Sequence, residues 1–328
     1  MDLGLSEDQA FFQETTRKFL ESEAPLVDVR RWARTADGFD RDWWRRGAEL
    51  GWTSLLLPEE YGGASLAGEG LLDLAIVAEE MGRLVSPGPL LPTNVVAHAV
   101  AASGSDEQAA ALLPRIASGE AVAAWAFFEP GGGWQPEAVQ LQAVREGDGF
   151  ILDGLKSQIE YAAQADHFLV TARTTDGLTQ FLLPSDQRGV TVTPMEGLDL
   201  VRRFAELRFD AVRVPASCLL GEPGGAAKDV EHQLQLALVL QCAEMAGAVD
   251  RVFEFTLAYM FDRFSFGRPL ASYQALKHRM ADVKLWVEAS HATANGAARA
   301  VQHRTRDAGR LVSAAKSYIG DHATRIIQ

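Results

Sequence analysis

The sequence is poor in cysteine: it has 2 cysteines in 328 residues, Cys218 and Cys242. They form no Cys-x-x-Cys pair and no cluster with histidine, so we expect neither a disulfide framework nor a zinc site. Such sparse cysteine is typical of proteins in a reducing compartment, and we therefore expect a cytoplasmic protein.

Long apolar runs and an excess of positive charge are also missing. No apolar run approaches the roughly 20 residues of a membrane-spanning helix, and the acidic residues 1–8 lack the apolar core of a signal peptide. The net charge of -13 argues against nucleic acid or an anionic membrane as the main partner. With 47% hydrophobic and 23% charged residues, the composition is typical of a soluble globular protein.

Helical periodicity dominates the first third of the chain. Ser6 and Gln9 have the spacing of a capping box and predict a helix start. Apolar residues at helical spacing then predict further helices near 41–50, 68–81 and 106–117. We place the end of this helical region at residue 119.

The pattern changes to that of strands near Glu120. Turn signals at 147–149 and at 176–177 separate short segments with strand character. We predict strands in the segments 139–143, 150–152, 167–174, 180–183, 190–193 and 206–214. Together they indicate a compact antiparallel β-domain over residues 120–225.

A glycine-rich boundary at 221–225 precedes a second helical region over residues 226–328. Its periodicity predicts helices near 227–259, 272–301 and 311–328. The order of helices, strands and helices predicts an α+β fold with three domains, 1–119, 120–225 and 226–328.

The segment from Arg263 to Gln274 interrupts this last helical region with groups suited to a flat, phosphorylated cofactor. The Arg263 guanidinium can bind a pyrophosphate through two hydrogen bonds, and the Ser265 hydroxyl can donate to a phosphate oxygen. Phe266 offers an apolar face, and Gly-x-Pro breaks the helix. The alternative is an ordinary corner between helices with a solvated arginine.

Arg-x-x-Phe-Gly-x-Pro with a downstream Gln is also the pattern of acyl-CoA dehydrogenases, which this chain resembles over nearly its whole length. Further matches to the family follow in the family's order: 58–63, 128–130, 152–156, 212–215, 219–221, 314–316 and 326–328. The resemblance implies an N-terminal helical domain, a central antiparallel β-barrel-like domain and a C-terminal helical bundle. It also implies FAD-dependent dehydrogenation of an acyl-CoA, with a proton removed from Cα and a hydride from Cβ.

The resemblance further implies which residues contact FAD: Arg263, Ser265, Phe266, Gln274 and Gln328. In the family, these positions reach the FAD that is held mainly by a neighbouring subunit. This chain retains all of them.

The catalytic base of the family has no match in this sequence. Most members carry a Glu beyond a Gln-x-x-Gly-Gly turn, and this chain stops at the Gln, Gln328. A minority carry it earlier, at the position of Ala237. Glu244 lies two helical turns later and is a candidate base; alternatively, it is a polar residue at a helix–helix contact.

The family's contacts to the flavin ring are also replaced. Phe128 occupies the position of a Thr in the family, and residues 131–134 replace a Gly-Ser-Asp. Gln158 and Glu160 occupy the positions of a Trp and a Thr. Trp134 or Tyr161 could instead stack on the flavin ring. The alternative is that each is an ordinary aromatic residue of the surface or the core.

This combination resembles the shorter subunit of the heterotetrameric (α2β2) acyl-CoA dehydrogenases of bacterial steroid degradation. We therefore expect an acyl-CoA substrate, a homologous partner subunit or a homo-oligomer, and electron-transfer flavoprotein as electron acceptor. Three alternatives remain open: a structural subunit without flavin, a flavin oxidase or monooxygenase on the same fold, and a chain that continues past Gln328.

Overall fold

The computed structural model describes residues 4–66 and 68–328; residues 1–3 of the acidic N-terminal segment lie outside the described residues. Two compact units divide the chain. The first unit contains residues 4–26, 66, 68–86 and 238–328, and the second contains 27–65 and 87–237. No helix in the described ranges is both long enough and apolar enough to cross a membrane.

Helices occur at both ends of the chain, as the periodicity predicts. In chain order they are α1 (Glu7–Glu23), α2 (Leu26–Trp32), α3 (Arg41–Glu49), α4 (Gly70–Leu84), α5 (Leu90–Ser103), α6 (Asp106–Ala117), α7 (Ala227–Asp262), α8 (Gln274–Gln302) and α9 (Ala308–Ile327). The capping box predicted at the start of α1 is present: the Gln9 backbone N–H donates to Ser6 Oγ at 3.2 Å, and the Gln9 side chain accepts from the Ser6 N–H.

The central region forms one sheet. Its strands are β1 (Ala123–Ala126), β2 (Gln142–Glu146), β3 (Gly149–Glu160), β4 (His167–Thr174), β5 (Gly177–Pro184), β6 (Val190–Met195), β7 (Phe204–Pro215) and β8 (Leu219–Leu220). The order is β6-β7-β3-β2-β4-β5-β8, with β1 beside β4. The sheet is mixed, not purely antiparallel as expected, because β1 and β2 both pair with β4 in parallel.

Three tryptophans form the centre of the helical part of the second unit. Trp43, Trp44 and Trp52 are buried, with ring centroids 5.6–6.5 Å apart. The Asp40 side chain caps α3 by accepting from the Trp43 N–H at 2.8 Å, which places both indoles of that helix inward. Gly88 packs directly on Trp43 and Trp44, where a Cβ would be 3.2 Å from either ring.

Paired charges join the helices of the first unit. Arg17 of α1 donates two hydrogen bonds, at 2.8 and 2.7 Å, to the buried carboxylate of Glu80 in α4. Arg83 of α4 pairs with Asp250 and, at 2.7 Å, with Glu254, both in α7. The two hydrogen bonds from the Arg17 guanidinium offset the loss of hydration of the buried Glu80 carboxylate.

His291 of α8 extends this network. Its ring nitrogens lie 3.5 Å from Glu79 Oε2 and 3.9 Å from Asp250 Oδ1. Burial alone lowers the pKa of His291, but the two carboxylates outweigh burial and raise it to about 10. His291 is therefore a cation at neutral pH.

Candidate cofactor site

A tight hairpin follows the end of α7 in the first unit. Strands β9 (Phe264–Ser265) and β10 (Arg268–Pro269) are antiparallel, with Ser265 opposite Arg268. The two residues between them, Phe266 and Gly267, have φ angles of 51° and 78°. Two consecutive positive φ angles define the type I′ turn, whose twist matches that of a hairpin. The Gly-x-Pro motif thus encodes a hairpin and not only a helix break.

Contacts from outside the turn close this hairpin. The Leu270 N–H donates to the Arg263 carbonyl at 2.9 Å. The Tyr273 hydroxyl donates to the Ser265 carbonyl at 2.7 Å. The guanidinium carbon of Arg268 lies 4.0 Å from the Tyr273 ring centroid, a cation–π contact. Sequence reasoning missed Tyr273 and Arg268, because neither residue belongs to the family pattern.

The structure brings four of the five predicted cofactor residues into one segment. Arg263, Ser265 and Phe266 lie in or beside the hairpin, and Gln274 is the first residue of α8. Arg263 and Gln274 are exposed, Ser265 is half-buried, and Phe266 is 97% exposed. Gln328 is exposed at the C-terminal end of α9. Their role as FAD contacts stays a prediction.

Local charge at the hairpin is opposite to that of the whole chain. No acidic residue occurs in residues 263–281, whereas the chain as a whole carries -13. The basic side chains of this segment are all exposed: Arg263, Arg268, Lys277, His278 and Arg279. This donor set fits the pyrophosphate of FAD, because guanidinium and ammonium groups bind phosphate oxygens strongly.

Two motif residues of the second unit prove to be a buried pair. Lys156 Nζ is fully buried and donates to Glu129 Oε1 at 2.7 Å and to the Phe127 carbonyl at 2.9 Å. Glu129 also accepts from the backbone N–H groups of Gln140 (2.8 Å) and Leu141 (3.0 Å). Burial lowers the pKa of Lys156 to about 8, although Glu129 opposes the change. The pair holds the segment between β1 and β2.

Phe128 and Trp134 are the aromatic residues among those that replace the family's ring contacts. The Phe128 ring meets Trp134 edge to face, with centroids 5.1 Å apart, and Trp134 is 73% exposed. The Phe128 carbonyl accepts from the Ser157 N–H at 3.0 Å, which ties this segment to β3. A phenyl ring cannot donate the hydrogen bond that a threonine offers, so Phe128 does not fit the polar edge of a flavin ring.

Of the other two replaced positions, Gln158 is exposed, and Glu160 is engaged within the second unit. The Glu160 carboxylate pairs with Arg202. Tyr161 is buried; its hydroxyl donates to the Val201 carbonyl at 2.9 Å and accepts from the Gly88 N–H at 2.8 Å. Burial raises the pKa of Tyr161, which therefore stays a donor. Tyr161 is thus a core residue, and of the two candidate stacking aromatics only Trp134 presents its ring at the surface.

Glu244, the candidate base, lies at a close approach between α4 and α7. A Cβ on Gly82 of α4 would be 2.0 Å from the Glu244 carbonyl oxygen, and a Cβ on Gly247 would be 1.9 Å from the Glu79 carbonyl oxygen. Ala237, at the family's alternative base position, is buried on the same helix. The Glu244 backbone thus lies at a helix–helix contact, and the role of its side chain as a base stays a hypothesis.

Comparison with known proteins gives matches along the chain. Profiles of three acyl-CoA dehydrogenase domains match it: the N-terminal domain at residues 6–120, the middle domain at 124–212 and the C-terminal domain at 228–328. Among curated proteins, the acyl-CoA dehydrogenase IpdE2 of Mycolicibacterium smegmatis is 31% identical over 290 residues. That alignment covers 88% of this chain and 76% of IpdE2.

Solved structures also match at full length. A glutaryl-CoA dehydrogenase from Mycobacterium smegmatis in complex with FADH2 is 25% identical, with a TM-score of 0.87, covering 98% of this chain and 83% of that chain. The ChsE4-ChsE5 complex from Mycobacterium tuberculosis is 27% identical, with a TM-score of 0.88, covering 100% and 87%. The steroid ACAD Tcur3481-Tcur3483 is 30% identical, with a TM-score of 0.85, covering 99% and 87%.

Proposed function

The chain belongs to the acyl-CoA dehydrogenase family, and from this premise we propose that it is a subunit that completes the FAD site of a partner chain. The family performs FAD-dependent α,β-dehydrogenation of acyl-CoA thioesters. FAD, when bound, supplies the hydride acceptor, and the protein positions it and tunes its surroundings. The observation that carries the proposal is the contrast between an intact, exposed, basic hairpin and replaced ring contacts.

The exposure of the hairpin supports the proposal that its residues contact an FAD held mainly by another chain. Its arginines, Arg263 and Arg268, and Phe266 are exposed, so they are accessible to a cofactor on another chain. Large apolar side chains with more than half of their surface exposed also occur on α7, the hairpin, α8 and α9: Phe255, Tyr259, Phe261, Phe264, Phe266, Leu285 and Ile327. Exposed apolar groups in such number favour a protein partner over a monomer.

The residues that replace the family's flavin-ring contacts support the proposal that this chain has lost an FAD site of its own. Phe128 offers no hydrogen bond, and the Glu160 carboxylate is already paired with Arg202. The hydroxyl donors that the family presents to the flavin ring are therefore missing at residues 128 and 160.

The proton acceptor is expected to come from the partner. Ala237 has no group that can take a proton, and Glu244 lies at the crossing of α4 and α7. Removal of a Cα proton needs a carboxylate within hydrogen-bond reach of that carbon. We propose that the partner is a homologous acyl-CoA dehydrogenase chain that carries this carboxylate.

The likeness to a steroid ACAD and to a two-protein complex supports a bulky, polycyclic acyl group as substrate and an α2β2 assembly. Electron-transfer flavoprotein is the electron acceptor that we expect from the family. A structural subunit without flavin is the second candidate, because the loss of ring contacts favours it too.

Co-expression with a homologous chain encoded next to this one tests the proposal. We expect a yellow assembly with one FAD for each pair of unlike chains, measured by light scattering and by flavin absorbance after denaturation. A homo-oligomer of this chain with one FAD for each protomer would refute the proposal. A mixed assembly without FAD would favour the structural subunit.

Arg263→Ala tests the hairpin within that assembly. A charge-assisted hydrogen bond contributes roughly 1.5–3 kcal/mol, so we expect FAD affinity to fall by about tenfold or more. Arg306→Ala, which removes an exposed arginine outside the hairpin, is the matched control. Equal FAD affinity in the two variants would contradict the role of Arg263.

A further inference from the structure

Phe266 has a left-handed backbone conformation and an almost fully exposed side chain. Its φ of 51° lies in the left-handed region, which disfavours residues with a Cβ. Its side chain is 97% exposed, so burial of the ring within the chain does not offset the strain. Strained residues of this kind persist where the surrounding structure holds them in place, and they cluster at functional sites.

Tyr273 is the side chain that holds this turn from outside. Its hydroxyl donates to the carbonyl of Ser265, the residue that immediately precedes Phe266, at 2.7 Å. Arg268 on the opposite strand covers the Tyr273 ring at 4.0 Å. The two contacts connect both strands of the hairpin to the residue just before α8.

We propose that Tyr273, with Arg268 stacked on it, is a positioning residue that keeps Phe266 in its strained, exposed conformation for the partner's FAD. This inference rests on the proposed function. Its physical basis is pre-organisation: a hairpin that is already in its binding conformation loses less entropy when the cofactor is bound.

Hydrogen exchange of the chain alone gives the first measurement, which requires neither a partner nor FAD. Tyr273→Phe removes the hydroxyl and keeps the ring under Arg268. From the contribution of one hydrogen bond, we expect the amides of residues 264–268 and 270 to exchange about fivefold faster. Tyr318→Phe, which removes a hydroxyl on α9, is the control. Unchanged exchange in Y273F would overturn the proposal.

A rescue variant separates the turn from general loss of stability. F266N creates Asn-Gly, the sequence that most favours a type I′ turn. In the double variant F266N/Y273F we expect hairpin exchange to return towards the wild-type rate. Exchange that stays as fast as in Y273F alone would show that Tyr273 does not act on the turn, and would overturn the proposal.

FAD affinity of the mixed assembly gives the second measurement. We expect Y273F to bind FAD about fivefold more weakly, and Y318F to bind it like the wild type. A wild-type assembly that binds FAD, with the same affinity in Y273F, overturns the positioning role alone. A wild-type assembly without FAD overturns the proposed function and this role with it.

Discussion

Individual residues of the family patterns have two different tasks in this chain. Glu129 and Lys156 are turned inward and hold the backbone between β1 and β2. Arg263 and Phe266 are turned outward and have their groups free for a ligand. The presence of Glu129 and Lys156 therefore indicates that the fold is kept. The presence of Arg263 and Phe266 bears on function.

Glu244→Gln tests the candidate base at this scale. The substitution keeps the size and hydrogen bonding of the side chain and removes its basicity. Because we propose that the partner chain supplies the base, we expect turnover of the mixed assembly on an acyl-CoA to stay within a few-fold of wild type. Loss of a true general base typically costs about 10²–10⁴-fold. A loss of that size with intact flavin content and assembly would make Glu244 the base.

His291→Gln is expected to change how stability depends on pH. The folded-state pKa of about 10 lies above the usual value of 6.5, so protonation stabilises the fold. This contribution is complete below about pH 6.5 and decreases by at most roughly 1.4 kcal/mol per unit up to pH 10. The advantage of wild type over His291→Gln should thus shrink from pH 6.5 to 10, as measured by urea unfolding.

Wild type must be compared with the variant because Lys156 changes the free energy of unfolding with pH in the direction opposite to His291. Its folded-state pKa of about 8 lies below the usual 10.5, so its protonation destabilises the fold. The free energy of unfolding therefore gains from Lys156 as pH rises through this range. Only the difference between wild type and His291→Gln isolates the histidine. A difference that stays constant from pH 6.5 to 10 would contradict the assignment.

At the scale of elements, α4 and α7 meet through glycines. Gly247→Ala would place a Cβ 1.9 Å from the Glu79 carbonyl oxygen, which is backbone and cannot rotate away. We expect a loss of about 1–3 kcal/mol or more in the free energy of unfolding, measured with urea.

Gly296→Ala in α8 is the matched control, because a Cβ there meets nothing within 4 Å. Alanine is favoured over glycine inside helices by about 1 kcal/mol, so this variant should be at least as stable as wild type. Equal stability of both variants would mean that α4 and α7 do not require the close approach.

Two helices, α2 and α5, were not predicted. For α5 the reason is burial: most of its residues are buried, and its sequence therefore lacks a polar face. The amphipathic α6 was predicted with its observed bounds, 106–117. The parallel pairing of β1 and β2 with β4 was also missed, since alternation marks a strand but not its neighbour.

At the scale of the whole molecule, we expect the chain purified alone to contain little FAD. A lone chain offers the hairpin residues but lacks the family's hydroxyl groups at residues 128 and 160, where it has a phenyl ring and a carboxylate paired with Arg202. Absorbance near the flavin bands, relative to protein, is the measurement. A stoichiometric flavin spectrum of the lone chain would mean that it holds its own cofactor, and would contradict the loss of the ring contacts.

The sequence by itself determined the local features. The capping box at Ser6 and Gln9, the strand β4 and the basic character of 263–281 depend on residues within one or two turns of each other. Local interactions of this kind leave a period or a short motif in the sequence. The family patterns added the order of the domains and the candidate FAD contacts.

The tertiary structure alone decided which motif residues are buried and which are presented. The Glu129–Lys156 pair, the Glu80–Arg17 pair and the Gly82–Glu244 approach join segments that are distant in sequence. The physical reason is that such contacts depend on how side-chain volumes and charges fit across packed elements, which leaves no period in the sequence. Even Tyr273, eight residues from Ser265, acquires its role only once the hairpin has folded back on it.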